Sequence, residues 1–314
     1  MKHEQKLRIG HLSTLYHTAF ILRGSDLLAS RGIEAEWTLF PSGPDIINAM
    51  QAGTIDLAYI GLPPVIIGID RGLPLTCIAG GHIEGTVMIA GGSARVLCEC
   101  KGMDEFLRQF SGSAIGCPPR GSIHDVIVNE LLREHGMTEI EVKNYAWADL
   151  LPDAVMEGEI AAAAGTPALA VAGRRYSATR LAIPPDRLWP FNPSYGIVVM
   201  KSLLGMPDQL LAFLAAHEEA CGMIQHDPGR AAGIVAETTG MVEADYVLET
   251  YRISPKYCAA LPPDYRESTV RFGSTLHRLG YTSRIVGEAE IFDTSLIDTV
   301  HPGQHHYLDG LIQA

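Results

Sequence analysis

Short apolar runs alternate with amphipathic stretches from one end of the chain to the other. Leu7-Arg8-Ile9-Gly10-His11-Leu12 and residues 35–40 read as strands, joined by a loop at 13–18 and a helix running to about residue 29. A helical pattern over 44–50, a strand over 55–60, a short helix over 65–69 and a strand over 75–79 follow. Glycines at 80, 81, 85, 91 and 92 flank a short extended segment, which predicts a passage between lobes near residues 87–92. A second unit repeats the alternation, with helices over 103–110, 123–135, 148–156 and 167–173 and strands over 113–117, 140–145 and 160–164. Residues 197–200 form a strand returning to the first lobe. Helices over 207–225, 228–238, 243–251 and 263–279 then cover its sheet, since a parallel sheet buries both faces.

Two passages reinforce this reading, Gly53-Thr54-Ile55-Asp56-Leu57-Ala58-Tyr59-Ile60-Gly61 and Gly158-Glu159-Ile160-Ala161-Ala162-Ala163-Ala164-Gly165-Thr166-Pro167. Each is a helix end, a buried strand and a Gly/Pro loop, so each lobe offers backbone-rich loops to a shared cleft. The predicted fold class is α/β with two lobes and a central ligand cleft. Residues 1–88 and 197–314 form a discontinuous first lobe with C-terminal helices, and 89–196 an inserted second lobe.

The 314 residues suffice for two cores of roughly 100 to 200 residues each. With 47% hydrophobic and 19% charged residues the chain is a folded globular one. A formal charge of −12 excludes a nonspecific phosphate-backbone binder, so no nucleic-acid partner is expected. The longest nearly apolar run, residues 57–69, contains Pro63 and Pro64 and is too short to span a bilayer, so no integral membrane segment is expected. Residues 1–8 contain no apolar secretion segment. Two expectations follow: cytoplasmic location if Met1 is the native start, or an extracytoplasmic one (periplasmic or cell-surface) if an export signal was trimmed.

Six cysteines are too few for a disulfide scaffold. Cys98, Cys100 and Cys117 lack a fourth ligand for zinc and read as ordinary thiols, while His301, His305 and His306 sit in a Pro/Gly loop that reads as a solvated tail. No nucleotide-binding glycine motif is present, and neither cofactor nor metal is expected.

Several segments together resemble the type 2 periplasmic-binding-protein fold, specifically the substrate-binding proteins for nitrate, sulfonate and taurine uptake and for thiamine precursors. They are the stretch from Ala49 to Ala58, Gly72-Leu73-Pro74 with Ile78-Ala79-Gly80, Pro118-Pro119-Arg120-Gly121-Ser122-Ile123-His124-Asp125, and Gly158-Glu159-Ile160 with Pro167. The resemblance covers roughly residues 7–290. It implies lobes that close over a small-molecule solute and an ABC transporter permease as partner. The family's acidic residue after the second Gly-x-Ile is Ala161 here.

Candidate ligand contacts are Ser13, Thr14 and His17 after the first strand, Gly61 after the third, and His82 near the lobe passage. Arg120, Gly121 and Ser122 open a helix whose first amides can hold sulfonate, phosphate or carboxylate oxygens. Thr166, Asn192 and Tyr195 complete the set, with Trp147 and Trp189 as further aromatic candidates. No catalytic residue is assigned. The leading expectation is the solute-binding component of an ABC-type importer for a small polar organic anion or a heteroaromatic compound. The alternative is a cofactor-independent enzyme on the same fold, similar to pyrimidine-precursor synthases or sulfinate-cleaving enzymes, the latter requiring Cys117 to meet His82 and Arg120. Ligand sensing without transport is a third class.

Overall fold

The computed structural model describes residues 6–309. Its strands are β1 Leu7–Leu12, β2 Ala35–Phe40, β3 Leu57–Ile60, β4 Leu75–Ile83, β5 Val87–Gly91, β6 Ala114–Cys117, β7 Glu141–Asn144, β8 Ala162–Gly165, β9 Thr179–Ile183 and β10 Pro193–Met200. The helices are α1 Ala19–Arg23, α2 Gly43–Gln51, α3 Leu62–Asp70, α4 Met103–Arg108, α5 Ile123–Glu134, α6 Leu151–Met156, α7 Pro167–Tyr176, α8 Pro207–His226, α9 Pro228–Thr239, α10 Ala244–Ile253, α11 Pro263–Arg278, α12 Glu288–Ile291 and α13 Ile297–Val300.

Two five-stranded sheets result, ordered β2-β1-β3-β10-β4 and β7-β6-β8-β5-β9. In the first, β1 runs parallel to β2 and β3, while β10 lies antiparallel between β3 and β4. In the second, β6 is parallel to β7 and β8, while β5 lies antiparallel between β8 and β9. The reversed strand in each sheet is the one that has just arrived from the other lobe, so the connectivity itself produces the mixed pattern. This is the two-lobe α/β architecture of the type 2 periplasmic binding proteins.

Burial explains the less obvious elements. Helix α3 is apolar on every side from Leu62 to Ile69 because it is enclosed, packing on β4, α5 and α11. Pro63 and Pro64 fit its first turn, where amides have no intrahelical acceptor. Helix α5 begins with Ser122, whose Oγ accepts the Asp125 amide at 3.3 Å, and α2 begins with Ser42 in the same relation to Asp45 at 3.4 Å.

Four expectations need correction. The helix predicted to reach residue 29 stops at Arg23, because Gly24 ends it and Ser25 turns back to bond the Ile21 carbonyl. Residues 87–91 are not the passage but strand β5, paired with β8 and β9; the first passage is Glu84-Gly85-Thr86. Strand β9 was not anticipated, and β10 starts four residues before 197, so the second passage occupies residues 184–192. The histidine-bearing tail is not solvated throughout, since Tyr307 is fully buried and its hydroxyl donates to the Ala260 carbonyl at 2.9 Å.

Both passages contain a non-glycine residue in the left-handed region, Glu84 at φ 58° and Phe191 at φ 56°. They are bonded to each other: the Glu84 amide donates to the Asn192 carbonyl at 2.7 Å, and the Phe191 amide to Glu84 Oε1 at 3.0 Å.

Candidate functional site

The carboxyl ends of β1, β2, β3, β6 and β8 all face the seam between the sheets, and the segments that follow them enclose a cavity of about 60 Å³. Ser13, Thr14, Tyr16 and His17 line it from the loop after β1, Ser42 and Gly43 from the start of α2, and Gly61 from the start of α3. The second lobe contributes Ser122, Ile123 and His124 at the start of α5 and Thr166 at the start of α7, while Ser194 comes from β10. A Cβ at position 61 would approach the Ser194 carbonyl on the neighbouring strand to 3.2 Å and the Ile123 side chain of the second lobe to 3.5 Å, so glycine there keeps the backbone close to both. A wider surface depression of about 870 Å³ lies at the amino ends of the second sheet beside Glu139, Glu141 and Glu159. No helix begins there, and its carboxylates disfavour an anion.

The cavity wall is rich in hydroxyls and carries no Lys or Arg among the described residues. Ser122 accepts the Asp125 amide and keeps its own O–H to donate. Among the described residues the amides of Ile123 and His124, first and second in α5, have no hydrogen-bond acceptor, so the positive end of the helix is open to the cavity. His124 is oriented from behind: Asn192 Nδ2 donates to Thr86 Oγ1 at 3.1 Å, and Thr86 Oγ1 lies 3.0 Å from His124 Nδ1. The Thr86 hydroxyl thereby holds the Nδ1 side of the ring. Burial lowers His124 to about 4, so the ring is neutral near pH 7. His17 is likewise held well below the ordinary range, by burial first and then by His11, His82 and His217. Its Nδ1 is buried with no hydrogen-bond partner.

Six of the sequence candidates therefore meet at the cavity: Ser13, Thr14, His17, Gly61, Ser122 and Thr166. Five do not line it. His82 is fully buried, with Nε2 bonded to the Ser254 carbonyl at 2.7 Å. Arg120 is exposed over the ring of Tyr281, at 5.2 Å, instead of facing an anion. Gly121, at φ 84°, uses its amide on Asp125 Oδ2 at 2.8 Å, so the chain's own carboxylate occupies the place imagined for a ligand oxygen. Asn192 acts through Thr86 as described, and Tyr195 is buried behind His17, ring to ring at 4.1 Å. The aromatic candidates also lie elsewhere: Trp189 stacks on Phe272 at 3.9 Å, and Trp147 is exposed. Tyr16, Ser42, His124 and Ser194 were missed. Ser42 and His124 had a readable signal, each belonging to a Ser-x-x-Asp helix start, whereas Tyr16 and Ser194 join the site only through the fold.

Cys117, the nucleophile that the sulfinate-cleaving reading needs, does not line the cavity. Burial raises its thiol well above the ordinary range, and neither His82 nor Arg120 bonds to it. Cys98 and Cys100 lie on the surface of the second lobe and do not converge with it into a group of metal donors. No helix among the described residues is long and apolar enough to cross a membrane.

Fold and cleft together define a type 2 periplasmic-binding-protein architecture. The chain belongs to the NMT1-like family, whose sequence profile matches residues 2–238. A comparison with curated proteins gives no match. Among solved structures, the ligand-binding component of an ABC-type import system from Staphylococcus aureus, with zinc bound, superposes with a TM-score of 0.78 at 17% identity, covering 96% of this chain and all of that one. The alkanesulfonate-binding protein from Xanthomonas axonopodis pv. citri, bound to MOPS, gives 0.77 at 17% identity over 91% of this chain and 98% of its own. The periplasmic nitrate-binding protein from Synechocystis PCC 6803 gives 0.76 at 13% over 94% and 88%.

Proposed function

We propose that this protein captures a small polar solute, preferentially a singly charged oxyanion, between its lobes and presents it to an ABC-type importer on the extracytoplasmic side of a membrane. The observation that carries the reading is the cavity itself, walled from both lobes by hydroxyls and by the unpaired first amides of α5. A site without a fixed cation suits a weakly hydrated monoanion, which dipoles can hold without an unpaired buried charge remaining when it leaves. Size narrows the class. A cavity of about 60 Å³ suits a small solute, on the scale of a few water molecules, more than a bulky one. Of the aromatic residues named for a heteroaromatic solute, Trp189 and Tyr195 are packed in the core and Trp147 is exposed, which favours the anion reading.

Titration calorimetry with nitrate, methanesulfonate, taurine and a neutral amide of similar size tests this. One-to-one binding of at least one anion, with the neutral amide weaker, is the expected result. Absence of heat and of thermal stabilisation across the whole set would reject the reading.

A further inference from the structure

Four side chains from separated stretches converge on the first lobe, none of them lining the cavity: Glu218 on α8, Cys258 before α11, and His301 and His306 in the C-terminal segment. Cys258 Sγ lies 3.6 Å from His301 Nε2, and Glu218 Oε1 lies 3.5 Å from the same nitrogen. His306 reaches both neighbours, Nδ1 at 3.2 Å from His301 Nε2 and Nε2 at 3.2 Å from Glu218 Oε1. One donor atom from each residue falls within 4.8 Å of all the others.

We propose that this cluster is a tetrahedral site for one divalent transition-metal ion, zinc by preference, which fastens the C-terminal segment to α8. Bonds of about 2.0–2.1 Å to nitrogen or oxygen and about 2.3 Å to sulfur give tetrahedral edges of roughly 3.3–3.4 Å between light donors and roughly 3.5–3.6 Å to sulfur. The separations of 3.2, 3.5 and 3.6 Å are edges of that size. One thiolate, two imidazoles and one carboxylate is a zinc-type donor set. The ligands are also held from outside: Glu218 Oε2 accepts the Ala259 amide at 2.8 Å, Cys258 Sγ accepts the Ala260 amide at 3.4 Å, and Gln225 Nε2 donates to the His306 carbonyl at 2.7 Å. His306 Nε2, 3.2 Å from Glu218 Oε1, is buried without a hydrogen bond, so the ring is not satisfied by its neighbours as they stand.

Four protein ligands leave no open coordination position, so the ion's role is structural. A surface depression bordered by Arg266, Asp298, His301 and His305 provides the access route. The sequence concealed the set because Cys258 and Glu218 stand 43 and 83 residues before His301, with no ligand spacing to link them.

The test uses the full chain without an affinity tag, stripped with EDTA and titrated with Zn²⁺ and, separately, Co²⁺. One equivalent of zinc should bind and raise Tm. Cobalt should give the intense visible absorption of a tetrahedral centre and a thiolate-to-cobalt charge-transfer band. Cys258→Ser should abolish that band, and His301→Ala should weaken zinc by more than the roughly 10- to 100-fold that losing an outer partner produces. No stoichiometric uptake, cobalt binding without the charge-transfer band, or uptake unchanged in both variants would overturn the site. If either variant fails to fold, His306→Gln decides the matter. Weakened zinc with an unchanged circular-dichroism spectrum supports the assignment, and unchanged zinc affinity refutes it.

Discussion

Ser122 performs two tasks with one hydroxyl, capping α5 through its oxygen and offering its proton to the cavity. Ser122→Asp separates them, because aspartate caps a helix about as well as serine but brings a negative charge to the wall. Tm should stay within about 2 °C of the parent, which corresponds to roughly 1 kcal/mol in a chain of this size. Oxyanion affinity should drop more than about 100-fold, roughly 2.8 kcal/mol. A variant that melts normally and still binds the anion would remove α5 from the site. The buried imidazoles predict a pH dependence at the same scale. Burial holds His11 and His124 at about 4 and His82 at about 3, against about 6.5 in the unfolded chain. Between pH 6.5 and about 4 the unfolded chain binds protons that the folded one refuses, so stability falls as pH falls and the loss is complete below the folded values. Tm should be level above pH 7 and decline steadily from 6.5 to 4.5, with His124→Gln flattening part of the slope. A level profile across that window would mean that these rings accept protons without unfolding.

At the level of elements, the two passages between the sheets carry the strain that a hinge requires. Glu84 sits at φ 58° and bonds Phe191, itself at φ 56°, while its other oxygen pairs with the largely buried Lys256. Glu84→Ala keeps the strain and loses both partners, which should destabilise the fold by about 2–4 kcal/mol. Glu84→Gly loses the same partners but adopts the backbone freely and should be the milder change by about 1 kcal/mol. Urea unfolding of the pair checks the order; equal losses would mean that the left-handed backbone is not strained. Legibility follows the same physics. Strands β1, β2, β3 and β6 and helices α2, α5, α8 and α11 were readable because period and caps agree locally. Strand β9 was not, because Thr179 to Ile183 takes its order from pairing with β5. Half the candidate site was legible because loops after parallel strands face the cleft by topology. Arg120 and Gly121 misled because their chemistry looked free in the sequence, whereas Tyr281 and Asp125 engage them in space.

The whole molecule is closed around its cavity by contacts on two flanks. On one, Arg278 on α11 pairs with Glu130 on α5, and Tyr281 donates to Asp125 Oδ2 at 2.7 Å. On the other, Arg175 on α7 pairs with Glu249 at 2.6 Å and Asp245 at 3.1 Å on α10, and Tyr246 donates to the Ala168 carbonyl at 2.8 Å. On the proposed function a solute enters a cavity this narrow when these flanks part, so closure would be weak enough to reverse and strong enough to retain a guest. The Arg175 pairs reach solvent and are worth about 0–1 kcal/mol each, whereas Arg278 reaches a buried Glu130 that Arg133 also holds. Removing one from each flank with Arg175→Ala and Arg278→Ala leaves Glu130 still paired with Arg133 at 2.7 Å, so no carboxylate becomes isolated in the core. The double variant should populate the open form more: a larger radius of gyration without solute, a larger contraction on adding it, and an affinity weakened about 3- to 30-fold, the equivalent of roughly 0.7–2 kcal/mol moved from closure to opening. Small-angle scattering with and without saturating anion measures all but the last. Identical profiles in all four conditions would mean that the lobes do not move and that the seam is a fixed core and not a clamp.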